Sequence, residues 1–291
     1  MGRGSPSGPG TRLGGPAHLV SDPATLAGEL AWLTQAPPLI TPPPGCDSAD
    51  AILRQCAGEP GVLRRAAATL VEQPRPRRLG LHFENLVAAV LQHSQRYRLV
   101  ARNVPLRVNG KTLGELDMLV EDRDTGDLMH WELALKFYLG LPGEPAERAW
   151  PGTDPRDQLA TKIRHLHDRQ LARCDDPVVT TLLAEQGWRV SRKMLLTRGR
   201  LFHTERETAL PKETNPSHQR GSWLYARSLD TPGVVIPHDQ WHYHQTLSDN
   251  RTDFVAAEVL RDYVQTLSSP VMIGTESGRL TFAAPDSWPD H

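Results

Sequence analysis

The feature that most restricts this chain is the run from residue 98 to residue 138, where three alternating segments are joined by two turns. Arg98 to Val108 reads as a strand, Asn109-Gly110 supplies the two positive φ angles of a tight hairpin turn, and Thr112 to Glu121 reads as the next strand. A third strand runs from Asp127 to about Tyr138, after the turn Asp122 to Gly126. These segments form an antiparallel meander, and period-two alternation fixes which of their side chains share a face. On the second strand Leu116, Met118 and Val120 lie on one side, with Glu115, Asp117 and Glu121 on the other. On the third, Trp131, Leu133, Leu135 and Phe137 oppose His130, Glu132, Ala134, Lys136 and Tyr138.

With the hairpin tip at Asp124-Thr125, Asp117 falls directly opposite Glu132 on the polar face, their Cβ atoms about 5 Å apart. Two like charges at that spacing repel unless a cation or a proton sits between them. Hard oxygen ligands suit Mg²⁺ or Mn²⁺, which polarise a phosphodiester and help generate an attacking hydroxide. Charged alternation is also what the solvated side of any half-exposed sheet shows.

The flanks extend the pattern. Phe83, Leu86, Val87, Val90 and Leu91 give a helix from Leu79 to about Ser94 one apolar face, with Glu84 beside it. After a Gly/Pro-rich loop from Gly140 to Pro155, Leu159, Ile163, Leu166 and Leu171 mark a helix from Arg156 to about Arg173. The resulting order is αβββα, in a mixed α/β protein. Residues 1–20, rich in Gly and Pro, read as a disordered tail. Helices at Ala24 to Gln35 and Val62 to Glu72 form an N-terminal helical elaboration over 21–78, the core occupies 79–184, and an α+β part covers 185–291. That last part holds short strands at Val190 to Thr197, Trp223 to Ala226 and Val234 to Ile236, a helix near Phe254 to Gln265, and a terminal hairpin near Val271 to Phe282.

Gly114-Glu115-Leu116-Asp117, followed across a hairpin by Trp131-Glu132-Leu133-Ala134-Leu135-Lys136 and preceded by a helix bearing Glu84, resembles the PD-(D/E)XK nuclease superfamily. The Leu-Gly-x-x-Phe-Glu start at Leu79 and the run Trp131 to Gly140 more closely resemble an uncharacterised bacterial family, domain of unknown function 1853, itself similar to PD-(D/E)XK proteins. The resemblance implies a restriction-endonuclease-like αβββα core, with Asp117, Glu132 and Glu84 as metal ligands and Lys136 as the motif lysine. The superfamily places its lysine two residues after the acid, where this chain has Ala134. Lys136 lies a further pleat repeat along, about 13 Å from Glu132 if fully extended, and has to fold back to serve that site. Gln158 and Lys162 resemble the Gln-x-x-x-Tyr element of RecB-like nucleases, with Lys in place of Tyr, although such pairs are frequent on exposed helix faces.

The reading is a nuclease dependent on Mg²⁺ or Mn²⁺ acting on nucleic acid, DNA in the first place, with Gln158, Lys162, Arg198 and Arg200 as substrate contacts. The alternative is a catalytically degenerate module of the same fold that binds nucleic acid or protein. A net charge of −1 gives no global attraction to nucleic acid, so any phosphate surface has to be local. Three cysteines without a CxxC pair point to neither a disulfide framework nor a thiolate zinc site. No apolar run approaches the roughly 20 residues of a membrane span and no signal-like h-region follows Arg3 or Arg12, so the expected location is cytoplasmic. His242-x-His244 lacks a third ligand in the sequence and reads as structural or surface histidine. Asn109-Gly110-Lys111-Thr112 ends like a phosphate-binding loop, but strand-like neighbours and Pro105 favour the hairpin.

Overall fold

The computed structural model describes residues 22–108, 110–243, 254–275 and 278–290. The expected tail at 1–20, Asn109 of the first turn, and His244 lie outside the described residues. The three meander strands are Tyr97–Val108, Lys111–Asp122 and Leu128–Leu139, here β2, β3 and β4. Val108 pairs with Lys111, which leaves room for the two-residue turn, and Gly110 has φ +78°. Between β3 and β4 the register is Met118 opposite Trp131 and Glu121 opposite Leu128. That register makes Asp117 and Glu132 the next opposed positions.

The meander belongs to a larger mixed sheet. A two-residue strand β1 (Asp47–Ser48) precedes it, and β5 (Val190–His203), β6 (Gln219–Tyr225), β7 (Gly233–Val235), β8 (Val271–Thr275) and β9 (Leu280–Ala284) follow. The order is β2-β3-β4-β5-β6-β9-β8-β7, with β1 paired in parallel to the start of β5. The β4-β5, β5-β6 and β6-β9 pairings are parallel, and the outer pairs are antiparallel. One sheet therefore runs through both the expected core and the C-terminal part.

Helices cover both faces. α1 (Pro23–Gln35), α2 (Asp50–Gly58), α3 (Val62–Val71) and α4 (Leu79–His93) lie on the side to which β4 turns Met129, Trp131 and Leu133. α1 opens on Asp22, whose carboxylate accepts the Ala24 amide at 2.8 Å, with Pro23 at the first helical position. α5 (Leu159–His165) lies on the opposite side, packing Leu159 and Ile163 against Ala134, Tyr138 and Leu195. Trp131 is fully buried in the first layer, where truncation to Ala costs about 3–5 kcal/mol. Among the described residues no helix is long and apolar enough to cross a membrane.

Three of the α-helices differ from the expectation. α2 was not expected, although Ile52, Leu53 and Cys56 recur at helical spacing and are buried. The helix expected over Arg156 to Arg173 begins later and ends sooner, because its second half unwinds into a π-turn at Leu166–Gln170 and a 3-10 turn at Leu171–Asp175. α6 (Pro177–Glu185) was also unforeseen, although Asp176-Pro177 is a helix-start signal and the Asp176 carboxylate accepts the Val178 amide at 2.8 Å.

Candidate functional site

Asp117 stands where β3 and β4 part company. Beyond Met118 their backbone pairing stops, and Asp117 Oδ2 accepts the Leu133 amide at 2.8 Å in its place. On β2, Asn103 adopts φ +53°, a left-handed conformation that Asn tolerates better than most residues, and its side chain favours the charged form of the nearby Glu84 carboxyl. Glu132 is completely buried in the middle of β4, opposite Leu195 of β5. Its Oε1 lies 2.9 Å from His130 Nε2, and its Oε2 accepts Gln170 Nε2 at 2.7 Å. The π-turn carries Gln170 there, since it re-aims the residues that follow α5. Gln170 Oε1 in turn accepts Lys162 Nζ at 2.9 Å.

The electrostatics are those of crowded anions with incomplete compensation. Burial, followed by the Glu132 charge, pushes Asp117 up to about 7. Burial raises Glu132 to about 7, with Lys162 and Arg173 opposing the shift. Glu84 is raised by burial and then by Asp117, while Arg102, 3.8 Å away, opposes it. Lys162 is lowered by burial and by Lys136, against the pull of Glu132 and Asp117. Burial takes His130 down to about 4, so its imidazole is neutral at physiological pH.

Of the residues singled out in the sequence, Asp117, Glu132, Glu84 and Lys162 come together. Lys136 shares their face, but its Nζ lies 2.6 Å from Asp157 Oδ2 in an ion pair. Gln158 donates to the Pro155 carbonyl at 2.8 Å and braces the loop before α5. Arg198 is not positioned as a phosphate contact. It is fully buried, donates to the carbonyls of Leu33 and Thr197 at 2.9 Å, and pairs with Asp50 at 2.6 Å. Arg200 is half-buried on β5. His130, Gln170 and Asn103 were missed, since no spacing rule links a π-turn or a strand residue two positions upstream to the acid they serve.

A second cluster lies on the other side of the sheet. Glu29 of α1, His82 of α4 and His242, just after Trp241, are all buried. One ligand atom from each lies within 4.8 Å of the others, and among the described residues they are the one group of three His, Cys, Asp or Glu side chains with that spacing. This group could hold a metal ion. Burial raises Glu29, but the imidazoles of His242 and His82 outweigh it and hold the carboxyl well below the usual carboxylate range.

The family model for a domain of unknown function, DUF1853, matches residues 28–277, a span that contains both clusters. The chain belongs to the DUF1853 family. Neither a curated protein nor a solved structure matches it. Within this DUF1853 chain, the Asp117 and Glu132 side chains offer oxygen donors only.

Proposed function

We propose that this DUF1853 chain is a metal-dependent nuclease that hydrolyses phosphodiester bonds in nucleic acid, with DNA as the first substrate to test. The observation that carries the reading is the Asp117–Glu132 pair, a half-buried and a fully buried carboxyl that are both pushed to about 7, with Lys162 as the neighbouring cation. A divalent ion held by Asp117 and Glu132 would relieve that repulsion. The element order adds support, since α4, the three-stranded meander and α5 follow one another in the αβββα order that the resemblance implies.

When bound, Mg²⁺ or Mn²⁺ polarises the phosphodiester and lowers the pKa of water. The chain's own residues do the rest. Asp117 is fixed by the Leu133 amide, and Glu132 is fixed by His130 and Gln170, so both carboxylates are aimed before an ion arrives. Lys162, tied to Gln170, supplies positive charge where negative charge develops on the phosphoryl oxygens. In this reading the lysine function belongs to Lys162 of α5, and Lys136 with Asp157 braces the rim. Glu84 and Asn103 order the outer wall.

A degenerate binding module is the second reading. It draws support from Glu132, whose two oxygens already accept hydrogen bonds from the protein. Linear, single-stranded and branched DNA, and RNA, incubated with the purified protein in Mg²⁺ or Mn²⁺ separate the two. Cleavage that Asp117→Ala abolishes supports the enzyme. Retention of nucleic acid without cleavage, unchanged in Asp117→Asn, supports the module.

A further inference from the structure

We infer that Glu29, His82 and His242 bind one divalent transition-metal ion of the zinc class, as a structural site that fastens the segment after β7 onto α1 and α4. This inference stands apart from the nuclease reading, because none of its three residues belongs to the Asp117–Glu132 cluster.

The donor set selects the ion. Two imidazoles and a carboxylate are the ligands of zinc and its first-row neighbours, whereas Mg²⁺ prefers oxygen throughout. The spacing fits as well. His82 Nε2 lies 2.9 Å from Glu29 Oε2, and His242 Nε2 lies 3.1 Å from Oε1. Metal–ligand bonds of about 2.0–2.1 Å in a tetrahedral site put neighbouring donors roughly 3.3 Å apart, and with one ligand atom from each residue within 4.8 Å of the others the three side chains close on an ion by shifts of no more than about 1.5 Å.

The decisive feature is His242. Its side chain is wholly buried; among the described residues Nδ1 has no hydrogen-bond partner, and Nε2 has only the Glu29 carboxylate, 3.1 Å away and poorly aligned for a hydrogen bond. Leaving a buried polar group this way is unfavourable, and an ion is one of the few things that explains it. Arg75 holds the carboxylate from outside, with Nη2 2.6 Å from Glu29 Oε1 and 2.8 Å from the Asp239 carbonyl, as outer-shell donors do around ligating carboxylates. Gly28 helps to admit the segment, because a Cβ there would collide with the Tyr243 ring that lies over it. All three ligands are buried, which keeps a substrate away from the ion and favours a clamp, and a water would fill the fourth position of the tetrahedral shell.

The test uses the full chain, stripped with chelator and refolded from denaturant with or without Co²⁺ or Zn²⁺, because the site lies in the interior. One equivalent of Co²⁺ should bind and give the visible bands of a low-coordinate nitrogen and oxygen site. Zn²⁺ should displace it and a large excess of Mg²⁺ should not. Zn²⁺ should raise the Tm of the wild type and leave that of Glu29→Gln unmoved. Asp117→Ala and a variant with all three cysteines changed to serine should bind as the wild type does, while His242→Gln, checked for a native circular-dichroism spectrum, should lose the equivalent. The inference is overturned if the folded wild type takes up neither ion in stoichiometric amount, or if folded Glu29→Gln and His242→Gln both bind it undiminished.

Discussion

Asp117 Oδ2 accepts the backbone amide of Leu133 at 2.8 Å, so a side chain carries the hydrogen bond at the point where β3 and β4 separate. The bond fixes the carboxyl beside Glu132 and makes a structural element of an acid whose charge the site opposes. Stability and ion binding are therefore coupled through a single residue.

Asp117 titrates near 7 in the folded chain and near 3.9 in an unfolded one. As pH rises from about 4 to 7 the unfolded chain releases this proton first, so the wild type loses stability through that window and the loss is complete above 7. Asp117→Asn keeps an oxygen for the Leu133 amide and removes the charge. In chelator at pH 8 its Tm should exceed that of the wild type, and the gap should close as pH falls to about 4, as followed by thermal melts across that range.

The same protons compete with a cation. Binding of Mn²⁺ at Asp117 and Glu132 should weaken as pH drops below about 7, by roughly tenfold per pH unit for each displaced proton. Titrations at pH 6 and pH 8, read by the electron paramagnetic resonance of free Mn²⁺, check it. An affinity that does not change between them would place the ion elsewhere.

Lys162 and Lys136 are told apart by substitution. Lys162→Met should lower cleavage by about 10²–10³, the usual cost of losing a donor aimed at developing charge. Lys136→Met, which leaves only the Asp157 carboxylate without its partner, should stay within about tenfold. Single-turnover rates at saturating Mg²⁺ give the comparison, and the reverse ranking would return the lysine role to Lys136.

Arg198 should matter for folding. Arg198→Leu leaves Asp50, nearly buried at 4% exposure, without its partner, a loss of about 3–5 kcal/mol. Asp50→Leu combined with Arg198→Leu should recover most of that loss. Urea unfolding of the single and double variants measures the difference.

The sequence alone carried the meander, because alternation and turn residues are local and leave little freedom in the register. It therefore carried the register that sets Met118 opposite Trp131, one step from Asp117 and Glu132. It also carried α4 and its apolar face, whereas Lys162 was singled out only by resemblance to the Gln-x-x-x-Tyr element. It did not carry the fate of the arginines on β5. A charged residue in a strand reads as solvated until the opposing layer is known, and here α2 supplies Asp50 to bury Arg198.

What tertiary structure decided is everything that joins distant segments. The π-turn that brings Gln170 to Glu132 depends on how α5 packs against the sheet, and no pattern of residue types announces it. His242 looked solitary in the sequence because its two companions lie on α1 and α4, far along the chain. Periodicity reports which face a side chain takes, since that is set by neighbouring backbone dihedrals. Which acid or imidazole waits on the other side is set by packing between elements, and only the folded chain contains that information.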